Sequence, residues 1–183
     1  MAKKPFMTEE FEGVTRFRFV GVDPGLVDTG VVAIHIDTLA RVFAPVATLA
    51  KGLDTKELAG AIGRTWSPGY THSHFTFIEK YRPRSHFNTD DRMLEGVREF
   101  SKIVDNPVVL DNTGVKKIVL PNMMKTLGLW QFSTSTHHQD LRSAAAIALL
   151  GMIKNGRLNA LLYDILDGTY IANRWHIQST RNV

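Results

Sequence analysis

The 183 residues contain no cysteine. Disulfides, thiolate-ligated zinc and iron–sulfur clusters are therefore excluded, which suits a reducing compartment. Long apolar runs are missing as well: the longest, Ala144 to Ile153, is far short of a membrane span. The opening stretch, Met1-Ala2-Lys3-Lys4-Pro5 followed by Glu9, Glu10 and Glu12, has no apolar signal core. An intracellular, cytoplasmic protein with no membrane partner is the expectation. Nor does one sign of charge dominate. A net charge of +4 and a pI near 9.4 permit a polyanionic partner without requiring one. No internal repeat or low-complexity tract is present.

What remains is ordinary globular composition, 44% hydrophobic and 22% charged, long enough for one domain with a substantial core. Residues 1–14 read as a flexible lead-in, 15–156 as the folded domain, and 157–183 as a helix and tail packed on it or extending it. Apolar and β-branched runs predict strands at Arg16–Val22, Val31–Ile36 and Arg41–Thr48, joined by short connections containing Gly, Asp and Thr into an antiparallel meander. Asp54 is placed to cap a helix to about Arg64, which Ser67-Pro68-Gly69 stops. Phe75–Ile78 is a fourth strand, ending at Glu79, and a loop follows over residues 80–87. A helix capped by Asn88 or Thr89 runs to about Val104, with Met93, Leu94, Val97, Phe100, Ile103 and Val104 as a stripe suited to a core or to a dimer face. Val108 to Asn112 carries no clear pattern. Val115–Leu120 is predicted as a strand, Pro121 to Leu127 as a short helix, and Trp130 to Thr136 as a loop. An Ala-rich helix opens at His137 or His138 and reaches about Lys154, with Gly156 just beyond it; a last helix covers Leu158–Leu166. That order is mixed α/β.

Three acids stand out by position. Asp23 ends the first strand, just before the Pro24-Gly25 turn. Glu79 ends the fourth, and Asp140 lies in the first turn of the Ala-rich helix, where the helix dipole favours a carboxylate. Each has a plain reading on its own: a turn residue, a strand-end acid paired with Lys80 or Arg82, a helix cap. A carboxylate at the end of a buried strand is nevertheless costly unless paired or bound to a cation. All three could converge on one sheet edge.

The run Gly21-Val22-Asp23-Pro24-Gly25 with Thr29-Gly30, then Phe77-Ile78-Glu79, then His137-His138-Gln139-Asp140 followed by Ser143-Ala144-Ala145-Ala146-Ile147-Ala148-Leu149, resembles the RuvC family of Holliday-junction resolvases, most of all its small phage-borne members. The likeness spans about residues 16–154. It implies a ribonuclease H-like fold with a mixed five-stranded sheet, antiparallel over its first three strands and flanked by helices. It further implies a homodimer that hydrolyses phosphodiesters symmetrically across four-way DNA junctions. Asp23, Glu79 and Asp140 would be ligands to two Mg2+ ions, with Mn2+ as a substitute, and Asp23 would bridge them. The fourth position departs from the family pattern of two acids three residues apart. Either His137 stands there, as ligand or proton carrier, or Ser143 does. Two hard cations roughly 3.5–4 Å apart serve in-line phosphodiester displacement, and magnesium prefers oxygen ligands.

Lys80, Arg82, Arg84 and His86, interleaved with Tyr81 and Phe87, directly follow Glu79. Cations there suit phosphates, and Tyr81 or Phe87 suits a wedge against unpaired bases; a solvated loop balancing Glu79, Asp90 and Asp91 is the plain alternative. Lys116, Lys117 and Lys125 form a second basic group that the resemblance brings near the DNA backbone. Two other activities stand beside this one. A RuvC-like nuclease acting on forks, flaps or single strands shares every motif above. An actin- or Hsp70-like ATPase would need a second Gly-rich phosphate loop, which is not found.

Overall fold

The structure, a computed structural model, describes residues 15–66, 74–81, 91–132 and 138–172. Three strands, β1 (Arg16–Asp23), β2 (Asp28–Asp37) and β3 (Val42–Lys51), form the expected antiparallel meander. Then come α1 (Thr55–Arg64), β4 (His74–Glu79), α2 (Asp91–Ile103) and β5 (Pro107–Leu110). Two short helices, α3 (Val115–Ile118) and α4 (Pro121–Thr126), precede the long α5 (His138–Lys154), α6 (Gly156–Leu166) and the two-residue strand β6 (Ile171–Ala172). The sheet order is β5-β4-β1-β2-β3-β6, with β4 parallel to β1 and β5 parallel to β4.

Strand parity decides what each face meets. Phe17, Phe19 and Gly21 of β1, Val32, Ile34 and Ile36 of β2, and Phe77 of β4 face α5 and α6 in one core. Val20, Val22, Val31, Ala33 and Ile78 face α1 and α2 in the other. Helix α5 lies very close to the sheet because small residues line the contact. A Cβ on Gly21 would fall 2.0 Å from the Ala144 carbonyl oxygen, and one on Gly151 would fall 2.5 Å from the Phe77 ring. Asp54 caps α1 as its position predicts, accepting from the backbone N–H groups of Lys56 and Glu57 at 2.8 and 3.0 Å. Leu162 and Ile165 of α6 are buried in the α5-side core.

Two expectations need correcting. The fifth strand is Pro107–Leu110, not Val115–Leu120. The latter segment begins as the exposed helical turn α3, entered through Gly114 at φ +78°. Its β-branched residues mimic a strand, but among the described residues the segment joins no sheet, and local geometry prevails. Gly156 lies just past the end of α5, as expected, and is also the first residue of α6, whose N-cap is Asn155. The short β6 adds a sixth strand beside β3. Among the described residues, no helix is long and apolar enough to cross a membrane.

Candidate active site

The same parity that packs Phe17, Phe19 and Gly21 against α5 aims Asp23 at that helix, and the parity of Phe75 and Phe77 aims Glu79 likewise. Both acids lie one residue past the Val22–Ile78 pairing of the parallel strands β1 and β4. Their carboxyls share a hydrogen bond, Asp23 donating as the acid and Glu79 accepting. Burial, then the charge of Glu79 and, more weakly, that of Asp140, push Asp23 up to about 8; burial also raises Glu79.

Gly30 brings α5 within reach. It pairs with Asp23 across the β1–β2 ladder, and a Cβ there would fall 2.4 Å from the Asp140 carbonyl oxygen. With hydrogen alone on Gly30, the first turn of α5 settles over the strand ends. Ser143, one turn on from Asp140, donates its hydroxyl to Asp23. The turn after Asp23 is braced: Thr29 Oγ1 accepts from Gly25 N at 3.2 Å and donates to the Gly52 carbonyl at 2.5 Å.

From the other side comes Asn112, whose side-chain amide donates to Glu79 Oε1. It is carried there by β5, since Leu110 pairs with Glu79 and accepts from Lys80 N at 2.8 Å. Sequence reading missed Asn112 because β5 is only four residues long, and Val108 and Val109 are both exposed on it, so no alternation marks it.

Asp23, Glu79, Asn112 and Ser143 line a cleft of about 570 Å³. Its other walls are Val115 and Lys116 of α3, Val119, Pro121 and Met124, Trp130, and Gln139, Arg142, Ala146 and Ile147 of α5. Lys116 is therefore at the cleft. Lys117 is exposed on the same short helix, and Lys125 stands over the Trp130 ring with Nζ 5.5 Å from its centroid. Arg142, unremarked in the sequence, has its guanidinium 4.9 Å from the same centroid. Lys80 is exposed beside Glu79, whereas Tyr81 is half-buried against the α1–α2 core. The stripe on α2 divides: Val97 and Phe100 are core, while Leu94 and Ile103 are exposed. His137, Arg82, Arg84, His86 and Phe87 lie outside the described residues.

Among the described residues, no three His, Asp or Glu side chains stand close enough together to hold a metal ion as they are. Asp23 and Glu79 touch, and Asp140 acts on Asp23 through space. The donors nevertheless fit a hard divalent cation. All are carboxylate oxygens, and the proton shared by Asp23 and Glu79 occupies the place where a cation would relieve both desolvation and mutual repulsion.

No protein-family model matches the chain, and no curated protein matches it. Solved structures similar in fold include Thermus thermophilus RuvC in complex with Holliday junction substrate, at 11% identity and a TM-score of 0.48, covering 80% of this chain and 96% of that one. Fowlpox virus resolvase, in complex with substrate Holliday junction DNA, is similar at 11% identity and TM-score 0.47, covering 80% and 99%. The large terminase nuclease from the thermophilic phage G20c follows at 11% identity and TM-score 0.41, covering 76% and 89%. By its sheet order and flanking helices, the chain has a ribonuclease H-like α/β fold.

Proposed function

We propose that this protein is a divalent-cation-dependent DNA endonuclease that acts on branched DNA, four-way junctions foremost, cutting phosphodiesters symmetrically as a homodimer. The observation that carries the reading is the contact between the Asp23 and Glu79 carboxyls, desolvated in the lining of a cleft with Asp140 in Coulomb range. Such a pair is unfavourable for folding and needs a use.

Asp23, Glu79 and Asp140 would hold Mg2+, or Mn2+ in its place. The cations would supply charge stabilisation at the phosphate oxygens and a nucleophilic water near neutral pH. Asn112 fixes the Glu79 carboxylate, and Ser143 orients Asp23. His137, at the approach to α5, would position or deprotonate the attacking water. Lys116 and Arg142 on the cleft, with Lys80, Lys117 and Lys125 nearby, would engage the phosphate backbone. Arg82, Arg84, Tyr81 and Phe87 would extend that contact toward the branch point. Two equivalent cuts in a junction of near two-fold symmetry call for two copies of one site.

The test is digestion of end-labelled four-way junction, duplex, flap and fork in magnesium, beside Asp23→Asn. Paired nicks at symmetric positions in the junction are expected, together with a dimer in sedimentation. Equal cutting of duplex and junction would remove the junction preference. Undiminished cutting by Asp23→Asn would remove the proposed cation site.

A further inference from the structure

The cleft that the acids line is also walled by residues of a different chemistry. Besides Asp23 and Glu79, its lining includes Val119 and Met124, each 4% exposed, Ile147, 1% exposed, and Trp130. Two cationic residues, Lys116 and Arg142, line the same cleft. At about 570 Å³ the whole falls within the roughly 300–1,000 Å³ of small-molecule pockets. A catalytic groove for a smooth duplex has no use for an apolar recess, because a phosphate–sugar backbone presents it with nothing apolar of the right depth.

We propose that this recess receives one extruded nucleobase, from a nucleotide directly flanking the scissile phosphate. The idea rests on the nuclease reading above and adds to it a subsite and a source of selectivity. Three features select this occupant. The recess and the acids belong to one continuous cleft, so a ligand that fills it while its phosphate lies at Asp23 must be covalently adjacent to that phosphate. The apolar lining suits the faces of a planar heterocycle, with the Trp130 ring, over which Lys125 and Arg142 already stand, contributing its remaining surface. The cations in the lining suit the phosphates on either side of it. Gln139, exposed on the wall formed by α5, offers an amide donor and acceptor to a base edge.

Extrusion from intact duplex costs unstacking and unpairing, and it costs least where pairing is already lost. A recess that must be filled before cutting therefore favours branch points over duplex. It also imposes a preference for the base at one position beside the cut.

Photocrosslinking tests this with the wild-type full chain. The cut positions on the four-way junction are first mapped in magnesium. 5-Iododeoxyuridine is then scanned across three nucleotides on either side of the cut, and the uncut complex is irradiated in EDTA. Trp130 is expected as the crosslinked residue from one flanking position and from no position more distant. Crosslinks from the flanking nucleotides that map only outside the cleft, in an enzyme that cuts the junction, would overturn the recess and leave the nuclease intact. No cutting of any branched DNA would overturn the nuclease reading and the recess together. As a second measurement, Trp130→Leu should flatten base preference at that position by about tenfold, and Trp130→Phe should retain it. Preference unchanged in a folded Trp130→Leu protein would also overturn the recess.

Discussion

Asp23 donates a hydrogen bond to Glu79 at the ends of two parallel strands, so two acids that are 56 positions apart in the chain share one proton. The arrangement costs folding energy near neutral pH. An aspartate unfolded titrates near 3.9, and in the folded protein burial and acidic neighbours raise it to about 8. As pH rises from about 4 toward 8, the unfolded state loses this proton first and stability falls.

Replacing Asp23 by Asn should therefore separate stability from activity. Cleavage in magnesium should be lost, and the metal-free protein at pH 7 should gain on the order of 2–4 kcal/mol, smaller than the full pH linkage because Asn keeps the hydrogen bond but not the charge. Thermal melting in EDTA of the wild type and Asp23→Asn is the measurement. Magnesium should raise the wild-type melting temperature and leave that of the variant nearly unchanged. A variant less stable than the wild type would show that the acidic pair is not strained.

His35 should give the opposite pH dependence. It is 1% exposed, with Nε2 donating to the Thr65 carbonyl at 2.8 Å. Burial lowers it to about 4, and the neighbouring Arg18 charge acts in the same direction. Its contribution is complete above about pH 6.5 and is lost as pH falls toward 4, where the unfolded state takes up the proton first. About 2–3 kcal/mol should disappear over that window. Because Asp23 acts with the opposite sign over the same window, the reading is a difference: in denaturant melts, His35→Gln, which retains a donor toward Thr65, should gain stability relative to the wild type as pH falls from 7 to 4.

Gly30 should behave as a site residue although it has no side chain. Gly30→Ala places a methyl against the Asp140 backbone, and overpacking of this kind costs about 1–3 kcal/mol. Because the displaced element is the start of α5, cleavage should fall by more than the stability loss explains, measured under conditions where the variant is fully folded. Normal turnover in a folded Gly30→Ala protein would show that the seating of α5 does not matter.

Asn112→Ala should release Glu79 without removing it. Loss of an outer partner to a ligating group typically lowers metal affinity or activity by about 10–100-fold. Titration of cleavage against magnesium should show a higher half-saturating concentration, partly recovered by raising the cation. Asn112→Asp should not rescue, because it adds a negative charge to a site already short of compensation.

The residues by themselves determined much of this protein. Apolar, β-branched runs separated by short turns specified the β1–β3 meander, Asp54 specified where α1 begins, and their positions at strand ends marked Asp23 and Glu79. These features are legible because they are local: period, capping and turn chemistry act within a few residues. Only the tertiary structure decided the rest. It put β5 at Pro107–Leu110, since an exposed four-residue edge strand is held by its neighbour β4 and not by its own pattern. It brought Asn112 to Glu79, Ser143 to Asp23 and Arg142 to Trp130, pairings that join different elements and leave no spacing to read. It also showed why Gly21, Gly30 and Gly151 are glycines: each lies where α5 meets the sheet, and that contact exists only once helix and strands have packed together.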